Sequence, residues 1–189
     1  MLHPIRHFKT VSHHKKLVWQ NAVRCGIPFR GLTHDLSKYS LAEFISGMRY
    51  YQGTRSPNER ERELFGYSPA WLHHKGRNRH HFEYWNDVNP KTKQYEPVEM
   101  PLADLKEMFC DRVAASKNYK GENYTDDCPL EYFLAGHARE KMHPHTAYVL
   151  EKWLRMLAEQ GEEATFRHIR SVRRIVWKNR DTGSGDNKQ

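Results

Sequence analysis

The sequence predicts an all-α protein, a bundle of about seven to eight helices with no significant β-sheet. Apolar residues recur at spacings of three and four in most segments, and Pro and Gly mark the segment ends. No segment alternates apolar and polar residues as a half-buried strand does. The chain of 189 residues is long enough for one core, so we expect a single domain over residues 1–178 and a disordered tail over 179–189.

The first two helices follow from apolar spacing and helix-stop residues. Residues 9–25 form a helix whose inward stripe consists of Val11, His14, Val18, Ala22 and Cys25. A Gly and a Pro then end this helix, and a second covers residues 28–36. His13 lies on the outward side of the first helix, which favours His14 for a buried role.

The third helix is predicted to begin with a capping box formed by Ser40 and Glu43. Its apolar face includes Leu41 and Ile45. Residues 53–66 are polar and are predicted to form a loop with a short helical turn.

The fourth helix is predicted over residues 69–85. One of its stripes, at helical spacing, consists of Trp71, His74, Asn78, His81 and Trp85. The Trp residues indicate that this stripe faces the core, where the polar residues between them need partners. His73, Arg77 and His80 share the adjacent stripe.

Four further helices complete the prediction. They begin at Pro101, cover residues 129–140, begin at Pro144, and cover residues 162–178. Asp111 lies among apolar residues in the middle of the first of these helices, which is unfavourable unless the carboxylate is paired.

Composition favours a cytoplasmic protein without a membrane partner. No apolar run is as long as a transmembrane helix, and the N-terminus lacks the apolar stretch of a secretory signal. The three Cys lie far apart and form no CxxC pair, which indicates a reducing compartment.

The net charge is +8, and basic residues concentrate near the C-terminus. They are Arg167, Arg170, Arg173, Arg174, Lys178 and Arg180. Such a surface attracts anions, either nucleic acid or a phosphorylated small molecule. A solvated helix face explains the same residues equally well. The sequence leaves the oligomeric state open.

The candidate chemistry centres on the adjacent pair His34 and Asp35. Other candidate metal ligands are His14, His73, His74, His80, His81 and Asp111. Imidazole and carboxylate together suit Mn, Fe, Co, Ni or Zn. Because these ligands exceed the needs of one tetrahedral ion, we expect one or two ions and a metal-activated water as the nucleophile. Lys38 would hold a phosphate oxygen there, and Ser37 could donate a hydrogen bond to it.

These residues resemble the HD-domain superfamily of metal-dependent phosphohydrolases, in which a first His, a His-Asp pair and a distant Asp occur in this order. Residues 34–38 are similar to its His-Asp-x-Gly-Lys segment, with Ser in place of Gly, and residues 111–115 to its Asp-Arg-x-x-Ala helix. A closer resemblance, over about residues 10–153, is to a small family of bacterial and phage proteins. Its motifs are Leu-x-His-Asp-Leu-Ser-Lys-Tyr and His-His-x3-Asn-x-His-His-x2-Tyr-Trp.

The resemblance implies an HD-like helical bundle and assigns ligands to two metal sites. The first site would consist of His14, His34, Asp35 and Asp111. The second would be completed by His74, His80 and His81, with Asn78 supporting a ligand. We expect Asp35 and Lys38 to act in catalysis, and Lys38, Arg77 and Arg79 to bind the substrate phosphate.

The leading functional hypothesis is hydrolysis of a phosphomonoester or phosphodiester, with a nucleotide among the candidate substrates. One alternative is an iron-dependent oxygenase on the same scaffold. Another is a non-enzymatic, basic, nucleic-acid-binding helical protein with a structural metal, although scattered Cys argue against a structural zinc.

Overall fold

In the computed structural model, which describes residues 2–174, the protein is an all-α bundle, which confirms the predicted fold class. Its eight helices are α1 (Pro4–Cys25), α2 (Pro28–Thr33), α3 (Leu41–Arg49), α4 (Pro57–Phe65), α5 (Pro69–Lys75), α6 (Leu102–Lys120), α7 (Cys128–Ala135) and α8 (Pro144–Ser171). The strands in this part of the chain are β1 (Asn86–Val88) and β2 (Tyr95–Pro97), which form a short antiparallel hairpin.

The core lies between α1, α6 and α8. The ring of Phe109 on α6 lies 6.1 Å from that of Trp153 and 5.6 Å from that of Phe166, both on α8. Asn21 on α1 donates a hydrogen bond to the backbone oxygen of Cys110 at 3.1 Å and so fixes α1 against α6. This packing brings polar residues on the buried faces of these two helices together.

α2 packs closely on α1 at Gly31. A Cβ atom at this position would lie 2.5 Å from Cβ of Ala22 and 3.0 Å from Cα of Trp19. Only Gly permits so close an approach, because neither of these atoms belongs to a flexible side-chain end. This close packing sets the position of the segment after α2, and that segment carries His34 and Asp35.

α3 buries polar residues rather than its predicted apolar face. Leu41 and Ile45 are exposed, whereas Glu43 is buried. Ser40 stands at the N-cap position, but its side chain makes no capping hydrogen bond. The predicted capping box is therefore wrong, because Glu43 binds the imidazole of His74 instead.

Several helix bounds differ from the prediction. α1 begins at Pro4 rather than at residue 9, and nine residues of the predicted 53–66 loop form α4. The fourth predicted helix is wrong beyond Lys75. There the side-chain amide of Asn78 donates to the backbone oxygen of His74 at 2.8 Å, and turns replace the helix.

The C-terminal part of the fold also differs in detail. α7 ends at Ala135, and a 3₁₀ turn covers Ala138–Lys141. α8 contains both predicted final helices, which meet at Gly161 with φ 75° and ψ 175°, a conformation that favours Gly.

Among residues 2–174, no helix is both long and apolar enough to cross a membrane. Four basic residues near the C-terminus are exposed, namely Arg167, Arg170, Arg173 and Arg174. Lys178, Arg180 and the predicted tail lie outside the described residues.

Candidate metal centre

Four parts of the chain bring His and Asp side chains to one buried point. They are α1, the turn after α2, the stretch from α5 to residue 81, and α6. The side chains that meet there are His14, His34, Asp35, His74, His80, His81 and Asp111.

Asp35 lies in the middle of this centre and has a left-handed backbone, with φ 54° and ψ 30°. Asp is one of the few non-Gly residues that adopt this conformation readily. Its Oδ2 faces His34 and its Oδ1 faces His74 and His80. The two carboxylate oxygens thus point to different groups of His.

The first group contains His14, His34, Asp35 and Asp111. Nε2 of His14 lies 3.0 Å from Oδ1 of Asp111 and 4.0 Å from Oδ2 of Asp35. Nε2 of His34 lies 3.2 Å from Oδ2 of Asp35 and 3.4 Å from Oδ1 of Asp111. We call these four residues ligand set one.

The second group contains Asp35, His74, His80 and His81. Oδ1 of Asp35 lies 3.3 Å from Nε2 of His74 and 3.4 Å from Nε2 of His80. Nε2 of His74 lies 2.9 Å from Nε2 of His81. We call these residues ligand set two, and Asp35 belongs to both sets.

Except for the 4.0 Å between His14 and Asp35, the separations given for each set match those of atoms bound to one ion. With ligand bonds of about 2.1 Å, two ligand atoms are about 3.0 Å apart in an octahedral site and about 3.4 Å apart in a tetrahedral site. Imidazole nitrogen and carboxylate oxygen are donors that suit Mn, Fe, Co, Ni or Zn. Each set could therefore hold one such divalent ion.

Two buried glutamates orient the imidazole rings. Oε1 of Glu107 accepts a hydrogen bond from Nδ1 of His34 at 2.9 Å and lies 3.2 Å from Nδ1 of His80. Oε2 of Glu43 accepts from Nδ1 of His74 at 2.7 Å. Because a carboxylate only accepts, Nδ1 carries the proton and Nε2 is directed to the centre, as in carboxylate–histidine–metal sites.

Further polar residues hold this arrangement. Arg30 donates to Oε2 of Glu107 at 2.8 Å and also pairs with Asp104. Asn78 donates to Oγ of Ser37 at 2.8 Å, and that hydroxyl lies 3.2 Å from Nδ1 of His74. Ser37 and Asn78 therefore both support a candidate ligand.

Polar atoms that face the centre lack hydrogen-bond partners among the described residues. They are Nε2 of His14, His34 and His80 and both carboxylate oxygens of Asp35, of which Oδ2 has an ion pair with Lys38 at 2.6 Å. Their short contacts with one another do not have hydrogen-bond geometry. Buried polar atoms without partners are rare and costly, and a cation in each set would bond to all of these.

Carboxylates attract positive charge to the centre, although burial lowers the pKa of His14 and of His81. Burial lowers the pKa of His34, but the carboxylates of Asp35, Asp111 and Glu107 outweigh it and raise that pKa well above its usual value. Burial raises the pKa of Asp35, but His34 and Lys38 outweigh it and hold that pKa well below its usual value. Ionised carboxylates therefore surround the space that an ion would fill.

Lys38 lies beside the shared carboxylate. Its Nζ is 2.6 Å from Oδ2 of Asp35. Burial lowers the pKa of Lys38, but Asp35 and Asp111 outweigh it and raise that pKa above its usual value. The ammonium group is thus charged at the edge of the centre.

A cavity of about 720 Å³ opens onto the centre. Its wall includes His14, Lys38, His74, His81 and Asp111. This volume lies in the range of small-molecule binding sites. A small ligand can therefore reach both ligand sets.

Two predicted phosphate-binding residues lie outside the cavity wall. Arg77 is exposed and donates to the backbone oxygen of His73 at 3.3 Å. Arg79 pairs with Asp104 at 3.3 Å and lies over the ring of Trp85, 4.9 Å from its centroid. Neither side chain lies on the cavity wall, and their role in phosphate binding stays a prediction.

The early end of α5 at Lys75 brings both His80 and His81 into ligand set two. Neighbouring residues on an α-helix point about 100° apart, so a continued helix would have excluded one of them. His73 belongs to neither set, and its Nδ1 lies 2.7 Å from Oε1 of Glu43.

The supporting roles of Glu43 and Glu107 were not predicted from the sequence. Glu107 stands four residues before Asp111 on α6. This spacing places both carboxylates on one helix face, so the sequence could have indicated that Glu107 lies near the candidate ligands. For Glu43, the sequence does not distinguish a role in supporting His74 from a role in helix capping.

Comparisons with known proteins place the chain in a family. Neither the curated proteins nor the solved structures include a match to this chain. One family model matches residues 3–156, a span that contains both ligand sets. The chain therefore belongs to the family described as "Family of unknown function (DUF5662)".

Proposed function

We propose that this protein is a metal-dependent phosphohydrolase that cleaves a phosphomonoester or phosphodiester at two divalent ions. The observation that carries the proposal is the shared carboxylate of Asp35, whose Oδ2 lies 3.2 Å from His34 Nε2 and whose Oδ1 lies 3.3 Å from His74 Nε2. Paired metal sites of this kind are common in phosphoester hydrolysis. The order of the ligands along the chain, which resembles that of the HD-domain superfamily, adds support.

Bound ions would supply a water of lowered pKa and would stabilise negative charge on the phosphate. The oxygen of water forms the new bond to phosphorus, the bond to the ester oxygen breaks, and that oxygen takes up a proton. Lys38 would bind a phosphate oxygen beside the carboxylate of Asp35. Glu43 and Glu107 would keep the ligating rings in one tautomer and orientation.

The cavity leaves both ligand sets accessible to a small ligand, which favours a catalytic metal centre over a structural metal. A structural zinc is closed by four protein ligands, which usually include Cys. Cys25, Cys110 and Cys128 belong to neither ligand set, and the cavity reaches His14 and His74.

Metal analysis and a hydrolysis assay test the proposal together. We expect two equivalents of Mn, Fe, Co, Ni or Zn per chain, and hydrolysis of p-nitrophenyl phosphate or its diester with Mn²⁺ or Co²⁺ supplied. His81→Ala should lower turnover by orders of magnitude. His13→Ala should change it little, because His13 is exposed and its Nδ1 lies 2.9 Å from Oδ1 of Asn118.

Other outcomes would reject the proposal. One tightly held zinc without hydrolysis of either ester would indicate a structural metal. Oxygen consumption by the iron-loaded protein, again without hydrolysis, would indicate the oxygenase alternative.

A further inference from the structure

Among the polar side chains of the cavity wall that belong to neither ligand set, two contain a buried atom without a hydrogen-bond partner in the described part of the chain. They are Arg112 on α6 and Glu83 in the 3₁₀ turn Phe82–Tyr84. Within residues 2–174, Nε of Arg112 and Oε2 of Glu83 are buried without a hydrogen-bond partner. The cavity therefore has unused hydrogen-bonding capacity apart from its candidate metal ligands.

Arg112 differs in this respect from other arginines that contact the core. Arg24 pairs with Glu162 at 2.6 Å, and Arg30 pairs with Glu107 at 2.8 Å. Arg112 interacts with Glu83 and Asp111 only through charge, without a hydrogen bond to either. Its guanidinium packs against buried Phe133, with Cζ 5.6 Å from the ring centroid. This packing holds the guanidinium in place, and its Nε donor is left for a ligand.

We propose that Arg112 and Glu83 bind the hydroxylated organic group of the substrate, which makes the substrate a phosphate ester of a sugar or nucleoside. A guanidinium only donates hydrogen bonds, and a carboxyl oxygen accepts them. A sugar hydroxyl does both, so one hydroxyl or two neighbouring ones satisfy both side chains. A simple alkyl group would leave them unpartnered, at a cost in affinity.

The geometry of α6 separates this subsite from the phosphate. Asp111 belongs to ligand set one, and Arg112 follows it directly, so their side chains leave the helix about 100° apart. The phosphate would lie near Lys38, and the organic group would extend along the wall towards Arg112. Trp71, Phe82 and Tyr132 also line the cavity and offer apolar surface to a ring.

This inference rests on the proposed phosphohydrolase function, but its test does not require hydrolysis. Calorimetry on the metal-free full chain would compare ribose 5-phosphate with methyl phosphate, which carries the same phosphate without hydroxyls. We expect ribose 5-phosphate to bind about tenfold more tightly, the value of one or two satisfied hydrogen bonds. Tighter binding of AMP than of ribose 5-phosphate would support the nucleoside form of the proposal, and equal binding the sugar form.

Substitutions then test whether Arg112 and Glu83 cause the preference for ribose 5-phosphate over methyl phosphate. Arg112→Gln and Glu83→Gln should each remove most of it, and Arg112→Lys should restore part. The matched controls Arg49→Gln and Glu131→Gln, at exposed positions outside the cavity wall, should retain it. Circular dichroism would show that each variant is folded, and the comparison of ligands on the unaltered protein requires no variant.

Equal affinities of the unaltered protein for ribose 5-phosphate and methyl phosphate would overturn the inference, as would a preference that survives both Gln substitutions. If hydrolysis fails while the preference persists, the proposed function is wrong and this subsite stands. If hydrolysis occurs without the preference, the subsite alone is wrong.

Discussion

The carboxylate of Glu107 accepts a hydrogen bond from Nδ1 of His34 at 2.9 Å, although 73 positions separate these residues along the chain. Burial raises the pKa of Glu107, but hydrogen bonds from His34 and His80 outweigh it and lower that pKa to about 2. Glu107 is therefore ionised at neutral pH. It keeps Nε2 of His34 directed to the centre, which links α6 to the turn after α2.

Glu107→Gln should weaken metal binding while the protein stays folded. A neutral amide holds Nδ1–H less strongly than a carboxylate, and loss of such a supporting group typically lowers metal affinity roughly 10–100-fold. Competition with a chelator of known affinity would measure the change. Glu131→Gln, an exposed site on α7, is the matched control. Equal affinities in both variants would show that Glu107 does not orient the ligands.

Substitution of Asp35 should abolish metal binding and leave the protein helical. Asp35→Asn removes the shared charge but tolerates the left-handed backbone, with φ 54°. Asp35→Ala should lose about 1 kcal/mol more stability, because Ala disfavours that conformation. Metal content, circular dichroism and urea unfolding of the metal-free proteins would measure these effects. An Asn variant that unfolds without metal would instead indicate a structural metal.

Sequence periodicity predicted the helices well where they bury a simple apolar stripe. α1 has such a stripe, whereas α6 buries every residue from Asp104 to Cys110. The polar residues His14 on α1 and Asp111 on α6 meet in ligand set one. Periodicity failed for α3, whose buried side carries Glu43 and Ser46. The burial of these polar residues depends on side chains from distant segments of the chain. The spacing of residues within α3 gives no information about those partners.

The His block shows the same limit within the site. Helical spacing placed His74 and His81 on one face and His80 on another. The structure instead ends α5 at residue 75 and turns both His80 and His81 to Asp35. The residue types were sufficient to predict a cluster, but its geometry depends on a backbone turn that Asn78 stabilises through its hydrogen bond to His74.

Gly31→Ala should destabilise the fold and also weaken metal binding. The added Cβ would lie 2.5 Å from Cβ of Ala22, so α2 would have to move away from α1. Overpacking of this kind costs about 1–3 kcal/mol. Because α2 leads directly to His34 and Asp35, the displacement should reach the ligands. Urea unfolding and chelator competition would measure the two effects.

Gly136→Ala serves as the control for Gly31→Ala. Gly136 has a helical backbone with φ −81°, and its added Cβ would lie 3.2 Å from the backbone oxygen of Tyr132. We expect a smaller loss of stability and no loss of metal affinity. Equal losses in both variants would contradict the proposed role of the α1–α2 approach.

His7 should make the stability of the metal-free protein fall as the pH decreases from about 6.5 to about 4. His7 is buried beside Gly47, where a Cβ would lie 2.0 Å from its Nε2, and its ring lies 5.2 Å from that of Phe44. Burial, and next the charge of Lys38, lower the pKa of His7 from 6.5 to about 4. The folded state therefore favours the neutral imidazole.

The sign of the effect follows from proton binding. The unfolded chain protonates His7 near pH 6.5, whereas the folded protein does so only near pH 4. Between these values the unfolded state binds more protons, so the free energy of unfolding decreases as the pH is lowered. The full contribution, present above the unfolded pKa, is roughly 2–3 kcal/mol.

Urea unfolding of the metal-free protein at pH 7 and pH 4.5 would measure this contribution. Other groups titrate in the same range, so the comparison is between proteins: His7→Gln should lose less stability over this interval than the unaltered protein. His13→Gln, at an exposed position on the same helix, should behave like the unaltered protein. If all three proteins lose the same free energy, the burial of a neutral His7 does not limit stability at low pH.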